Sequence, residues 1–322
     1  MADTTRGIVL SPQDLTLPEW PKLAAQAGLN TLALHVLGGP PSHLVAFMAT
    51  EDGQRFLRDT ATYGLNVEYE LHAMSELLPR ALFAEAPRMF RMDEKGERTP
   101  DANLCCNSDA ALAEVGRQAA RLARALPPTT HRYYLWPDDG APWCHCERCR
   151  ELPPSDQSLT VANHVLRAIR TIDTDARAAW LSYDNTLDPP EQVRPEPGIF
   201  LEYAPIRRSY EFAIDDPACA VNAAHVAQLD RALEVLGTDG AQVLEYWLDA
   251  SRFSGWKRPA VKLPFNAEVF ERDVRFYVGR GFERVTSFGV SLDAEYVRLY
   301  GLPPIADYGC ILSRWISPRQ GA

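Results

Sequence analysis

Four times along this chain a helix-like segment ends at a glycine and an apolar run of strand length follows almost at once. Ala27-Gly28-Leu29-Asn30 leads into residues 31–36, and Tyr63-Gly64-Leu65-Asn66 into residues 67–71. Leu236-Gly237-Thr238-Asp239-Gly240 precedes residues 242–247, and Arg280-Gly281-Phe282-Glu283 precedes residues 284–288. Glycine supplies the left-handed conformation that closes a helix. Runs this apolar must be covered on both faces, as the strands of parallel sheets are. The repetition therefore predicts βα units packed around a parallel sheet.

Further strand candidates at 7–10, 132–136, 178–183 and 199–203 bring the total to eight. Helices are expected at 18–27, 51–63, 109–125, 159–171, 222–236 and 266–279. Within 109–125, Leu112, Val115, Ala119 and Leu122 recur at three- and four-residue steps and mark an apolar stripe. Eight strands with helices between them predict an α/β fold, a single (β/α)8 barrel domain over residues 1–322. One irregularity is expected. Residues 184–197 are rich in proline and acid, so the fifth crossover should lack a regular helix.

The charge balance narrows the partners. Lys and Arg total 33 against 43 Asp and Glu, a net charge of −10. No basic run interleaves with aromatics, so nucleic acid is not an expected partner. The opening Met1-Ala2-Asp3-Thr4-Thr5-Arg6 has no apolar segment behind it, and no apolar run reaches membrane-spanning length. These features lead to the expectation of a cytoplasmic protein without a membrane partner. Nothing in the pattern assigns an oligomeric state.

In a barrel of this kind the reactive groups sit just after the strands, at their C-terminal ends. Those positions offer His35, then Glu70 and His72, then Asp138 and Asp139. Tyr183, Glu202, Tyr203, Arg207, Glu245, Trp247, Asp249 and Asp293 follow at later strand ends. No glycine-rich loop opens a helix to cradle phosphate. Carboxylates among aromatic rings suit glycosidic bond cleavage, where one protonates the leaving oxygen and the other attacks or activates water. The expected catalytic set is Asp139, oriented by Asp138, with Glu202 and Glu245. Expected substrate-binding residues are His35, His72, Trp136, Tyr183, Tyr203, Arg207, Trp247, Asp249 and Asp293. A structural alternative makes Glu202 and Glu245 ion-pair partners of Arg207 or Arg132, and makes Asp138-Asp139-Gly140 a turn.

Seven cysteines form an odd, clustered set, which favours metal or free thiol over a disulfide framework. Cys144, Cys146 and Cys149 share the loop 140–150 after strand four, and Cys105 is the expected fourth ligand of a closed, structural zinc. No organic cofactor is expected. Cys219 and Cys310 read as small buried residues.

The order Asn103-Leu104-Cys105, helix, Leu135-Trp136-Pro137-Asp138-Asp139-Gly140, Trp143-Cys144-His145-Cys146-Glu147-Arg148-Cys149, then Val161-Ala162-Asn163-His164-Val165 resembles the bacterial family catalogued as domain of unknown function 4838. The family pattern is an upstream L-C, a strand ending in N-D-G, a C-x-C-x-x-C and a helix carrying N-x-V. The specific match spans residues 103–183, and this chain has Asp138 where the pattern has Asn. The resemblance implies a barrel similar to glycoside hydrolases, including the α-glucuronidase and β-hexosaminidase families. It places the acid at the end of strand four, at Asp138 and Asp139. The lack of an accessory β-domain or secretion signal leads to the expectation of small intracellular sugars.

The leading reading is thus a carbohydrate-active enzyme, a glycoside hydrolase whose partner is a small-molecule carbohydrate. A second reading is a metal-dependent sugar isomerase or epimerase with Glu202, Glu245 and His72 as ligands. A third is a non-catalytic sugar-binding barrel.

Overall fold

Each apolar run becomes a strand in the computed structural model, which describes residues 4–317. The strands are β1 (Thr5–Leu10), β2 (Thr31–Leu34), β3 (Asn66–His72), β4 (Arg132–Trp136), β5 (Arg177–Ser182), β6 (Ile199–Tyr203), β7 (Gln242–Glu245) and β8 (Arg284–Phe288). All pair in parallel and in chain order, and β8 returns to β1, with Thr5 opposite Arg284 and Val9 opposite Phe288. The barrel is closed, so no strand edge is left unpaired.

The helices are α1 (Trp20–Gln26), α2 (Pro41–Met48), α3 (Glu51–Thr62), α4 (Met74–Leu77), α5 (Asp109–Ala125) and α6 (Pro154–Ile169). They continue as α7 (Ala220–Leu236), α8 (Ala250–Phe253), α9 (Ala267–Gly279), α10 (Ala294–Tyr300) and α11 (Ile305–Trp315). Polar caps start several of them. Thr50 accepts from the Gly53 amide before α3, Ser108 from Ala111 before α5, and Asn266 from Glu268 and Val269 before α9. The fifth crossover carries only a 3-10 turn, Asp184–Thr186, as its prolines predict. Among the described residues, no helix is long and apolar enough to cross a membrane.

Alternation along each strand sorts side chains into two cores. Leu32, Leu34, Val67, Leu71, Leu201 and Val243 face outward under the helices. Val9, Ala33, Tyr134, Trp136, Phe200 and Leu244 face inward. The lower interior is polar. Arg132 lies 3.7 Å over the Phe200 ring and donates to the Tyr134 hydroxyl at 2.9 Å, which in turn donates to Gln242 at 2.8 Å. Gln242 donates to Glu70 at 3.3 Å, and Glu68, Glu70 and Glu202 share this sealed space. Above it, Trp136 roofs the polar layer and floors the barrel mouth.

Candidate active site at the barrel mouth

The C-terminal end of the barrel opens into a cleft with an enclosed volume of about 110 Å³. Its floor and walls are Trp136, Leu181, Tyr183, Leu244, Tyr246 and Phe288. Polar groups are few: His35 and His72 on one side, Asp139 at the end of the β4 strand, and Asp249 with Ser251 after β7. Trp256 stands at the rim, 71% exposed.

Asp138 and Asp139 diverge at once. Asp138 accepts from the Asn103 amide at 2.7 Å and from the Arg80 guanidinium, and its own amide donates to the Asn103 side chain at 3.0 Å. Asn103 takes a left-handed φ of 39° to do this, a conformation asparagine tolerates. Asp138 is therefore a loop anchor outside the cleft lining, which corrects its expected catalytic role. Asp139 projects the other way and accepts the Tyr183 hydroxyl at 2.8 Å, with His72 Nε2 at 3.9 Å.

The histidines are fixed by backbone carbonyls. His35 Nδ1 meets the Glu70 carbonyl at 2.7 Å and His72 Nδ1 meets the Pro137 carbonyl at 2.6 Å. A carbonyl only accepts, so each Nδ1 carries the proton and each Nε2 offers a lone pair. Burial keeps both rings neutral, with His35 lowered to about 4 by desolvation and then by the neighbouring His72.

Asp249 caps α8. Its Oδ1 accepts from the Ser251 hydroxyl at 2.6 Å and the Arg252 amide at 3.1 Å, which leaves Oδ2 for the cleft. Burial raises its pKa above the usual carboxylate value, against the lowering effect of those hydrogen bonds. The cleft thus holds two carboxyl groups in contrasting surroundings, Asp139 open to water and Asp249 enclosed.

Several expected site residues lie elsewhere. Glu245 points outward, between barrel and helices, where it accepts from Arg208 at 2.9 Å, Tyr210 at 2.6 Å and Tyr277 at 2.5 Å. Arg208 also pairs with Asp273, so this is a sealed structural ion network. Trp247 faces the same layer and donates to Asp273 at 2.8 Å. Tyr203 points outward too, its hydroxyl donating to the His225 carbonyl on α7 at 2.9 Å. Asp293 caps α10 and pairs with Arg258 at 2.5 Å, outside the cleft. Glu202 faces inward but lies beneath Trp136, whose indole donates to it at 2.7 Å. Desolvation pushes Glu202 up to about 8 and Glu70 well above the carboxylate range. Neither reaches the cleft.

Arg207 pairs with Asp184 at 2.6 Å on the outer groove beside the mouth. Trp256 is not among the expected site residues; its one signal in the sequence is an aromatic flanked by Gly255 and Lys257 in a polar loop after a barrel strand.

A second cluster lies behind the β4 strand end. The Sγ atoms of Cys105, Cys144, Cys146 and Cys149 all fall within 4.8 Å of one another, and all four residues are buried. Of the two cysteines expected to be ordinary buried residues, Cys219 is buried but Cys310 is exposed.

The family described as "Domain of unknown function (DUF4838)" matches residues 44–287. No match was found among curated proteins. Among solved structures, a cold-adapted β-galactosidase from Rahnella sp. R3 superposes with a TM-score of 0.59 at 13% identity, covering 98% of this chain and 57% of that one. The catalytic domain of a β-amylase from Paenibacillus polymyxa gives 0.55 at 10% identity, with 98% and 99% covered. An endo-β-1,4-mannanase from Thermotoga petrophila gives 0.54 at 8% identity, with 100% and 79% covered. These likenesses establish the barrel architecture, and this chain spans little more than half the length of the β-galactosidase.

Proposed function

The chain belongs to the DUF4838 family, and on that footing we propose that it is a glycoside hydrolase acting on a small sugar or glycoside at the barrel mouth. One observation carries this reading: two carboxyl groups in opposed environments, Asp139 and Asp249, line one aromatic-walled cleft. Asp249, raised by burial, holds the proton that the leaving oxygen needs. Asp139, solvent-open and oriented by the Tyr183 hydroxyl, supplies the carboxylate that attacks the anomeric carbon or activates water. Tyr246, Phe288 and the rim Trp256 offer flat apolar faces to a sugar ring. The His35 and His72 Nε2 lone pairs accept from its hydroxyls.

The barrel likeness to a β-galactosidase, a β-amylase and a mannanase supports the same class and suggests the first substrates to try. The isomerase reading loses its ligand set, because Glu202 is roofed by Trp136 and Glu245 lies outside the barrel wall.

The test is a panel of 4-nitrophenyl galactosides, glucosides, mannosides and N-acetylglucosaminides in both anomeric forms. At least one should be hydrolysed. Asp139→Asn should lower kcat/KM by about 10²–10⁴-fold and Asp249→Asn by less on these activated leaving groups, neither changing the melting transition, since asparagine still caps α8. Saturable sugar binding with no product from any glycoside would instead identify a binding barrel.

A further inference from the structure

We propose that Cys105, Cys144, Cys146 and Cys149 hold a single structural zinc ion that fastens the Asp139 loop to the segment between β3 and α5. Zinc–thiolate bonds of about 2.3 Å in a tetrahedron place sulfurs about 3.8 Å apart. Cys105 Sγ lies 3.7 Å from Cys146 Sγ and 3.7 Å from Cys149 Sγ. Both distances match an edge of a four-sulfur tetrahedron, and all four sulfurs lie within 4.8 Å of one another.

The surroundings suit an ion with excess thiolate charge. Four thiolates around a divalent ion carry a net charge of −2, which buried sites offset with N–H donors and cations. The Met92 amide points at Cys144 Sγ from 3.3 Å and the Arg98 guanidinium from 3.7 Å. The Asn107 side-chain amide reaches Cys149 Sγ at 3.3 Å. Cys106 is a fifth thiol behind this shell, 3.7 Å from Cys149 and 3.8 Å from the Gln157 side-chain oxygen, and four ligands are complete without it. Four sulfurs leave no open position for substrate, so the ion's role is structural.

The site also answers a structural need. Residues 137–153 contain no helix or strand, yet Trp143, Cys144 and Cys149 are almost fully buried. Gln157, on α6, braces this loop by bonding Cys144 through both amide and carbonyl and by donating to the carbonyls of Cys149 and Leu152. On the opposite side, Asn103 binds Asp138 and the carbonyls of Ala141 and Pro142. Asn103 lies two residues before Cys105, and Asp139 five before Cys144, so the thiol shell and the Asn103–Asp138 clamp hold both ends of the segment that presents Asp139.

Elemental analysis of the full chain, produced with zinc and iron both supplied, should find about one zinc per chain and little iron. Cys105→Ser and Cys146→Ser should each lose it. Should those variants fail to fold, titrating the wild type with an organomercurial beside a zinc indicator still reads the site, with zinc released as four thiols react. Chelation should also speed proteolysis within residues 140–150. Zinc well below one per chain, iron in its place, zinc retained by either variant, or release uncoupled from thiol modification would overturn the site. Unchanged proteolysis after metal removal would overturn its fastening role.

Discussion

Asp138 turns back to hold Asn103 and Arg80, while Asp139, one residue on, turns toward Tyr183 and the cleft. The same one-step switch separates Tyr246, which lines the cleft, from Trp247, which packs on Phe270 behind the barrel wall. Glu202 is the buried acid whose state is most readily measured. The folded protein holds its proton up to about pH 8, whereas the unfolded chain releases it near the ordinary 4.5. Stability therefore falls as pH rises through that window, because the unfolded chain has already released the proton that the folded protein still holds. Glu202→Gln keeps an acceptor for the Trp136 indole and should remove that loss, so its advantage in urea midpoint grows from pH 5 to pH 8. An identical pH dependence in both proteins would refute the assignment. His35, lowered to about 4, acts with the opposite sign: stability is lost as pH falls from its ordinary 6.5. Sequence placed these residues near strand ends but not on a face, because a single-residue offset reverses which side of the sheet a side chain occupies. That is why Glu245, Trp247 and Tyr203, expected in the cleft, lie behind the barrel wall, whereas Trp256 enters from a loop that strand alternation does not govern.

The strands are legible because buried parallel strands are largely apolar and four of the eight follow a glycine helix stop, as at Gly64 and Gly281, both with left-handed φ. The irregular fifth crossover was legible from its prolines. The short helices α2, α4, α8 and α10 are too brief to show a period in the sequence, and α11 is masked by a glycine in its middle. That glycine is functional packing: a Cβ on Gly309 would sit 2.0 Å from the Ala27 carbonyl oxygen, so α11 rests directly on the end of α1. Gly309→Ala should force the helices apart and cost about 1–3 kcal/mol in chemical denaturation. Specific activity should hold, because the contact lies away from the cleft. Full stability in that variant would mean that α11 is free to shift. In sequence the loop 140–150 is marked by its cysteines alone; its dependence on Gln157 rests on contacts into the following helix, and that on Asn103 on contacts 38 and 39 residues apart.

Taken whole, the molecule is a closed barrel with a polar lower interior, an aromatic floor at Trp136, and one cleft where strands β2 to β8 deliver their side chains. Under the proposed hydrolase function the two carboxyl groups divide the labour, with Asp249 donating the proton and Asp139 acting as the carboxylate. Leaving-group dependence reads that division most directly. On a 2,4-dinitrophenyl glycoside, whose leaving group departs without a proton, Asp249→Asn should keep kcat/KM within about tenfold of wild type. On an alkyl glycoside of the same sugar it should lose about 10²–10⁴-fold, while Asp139→Asn is crippled on both. Equal losses for Asp249→Asn on the two substrates, or no loss on either, would contradict the account.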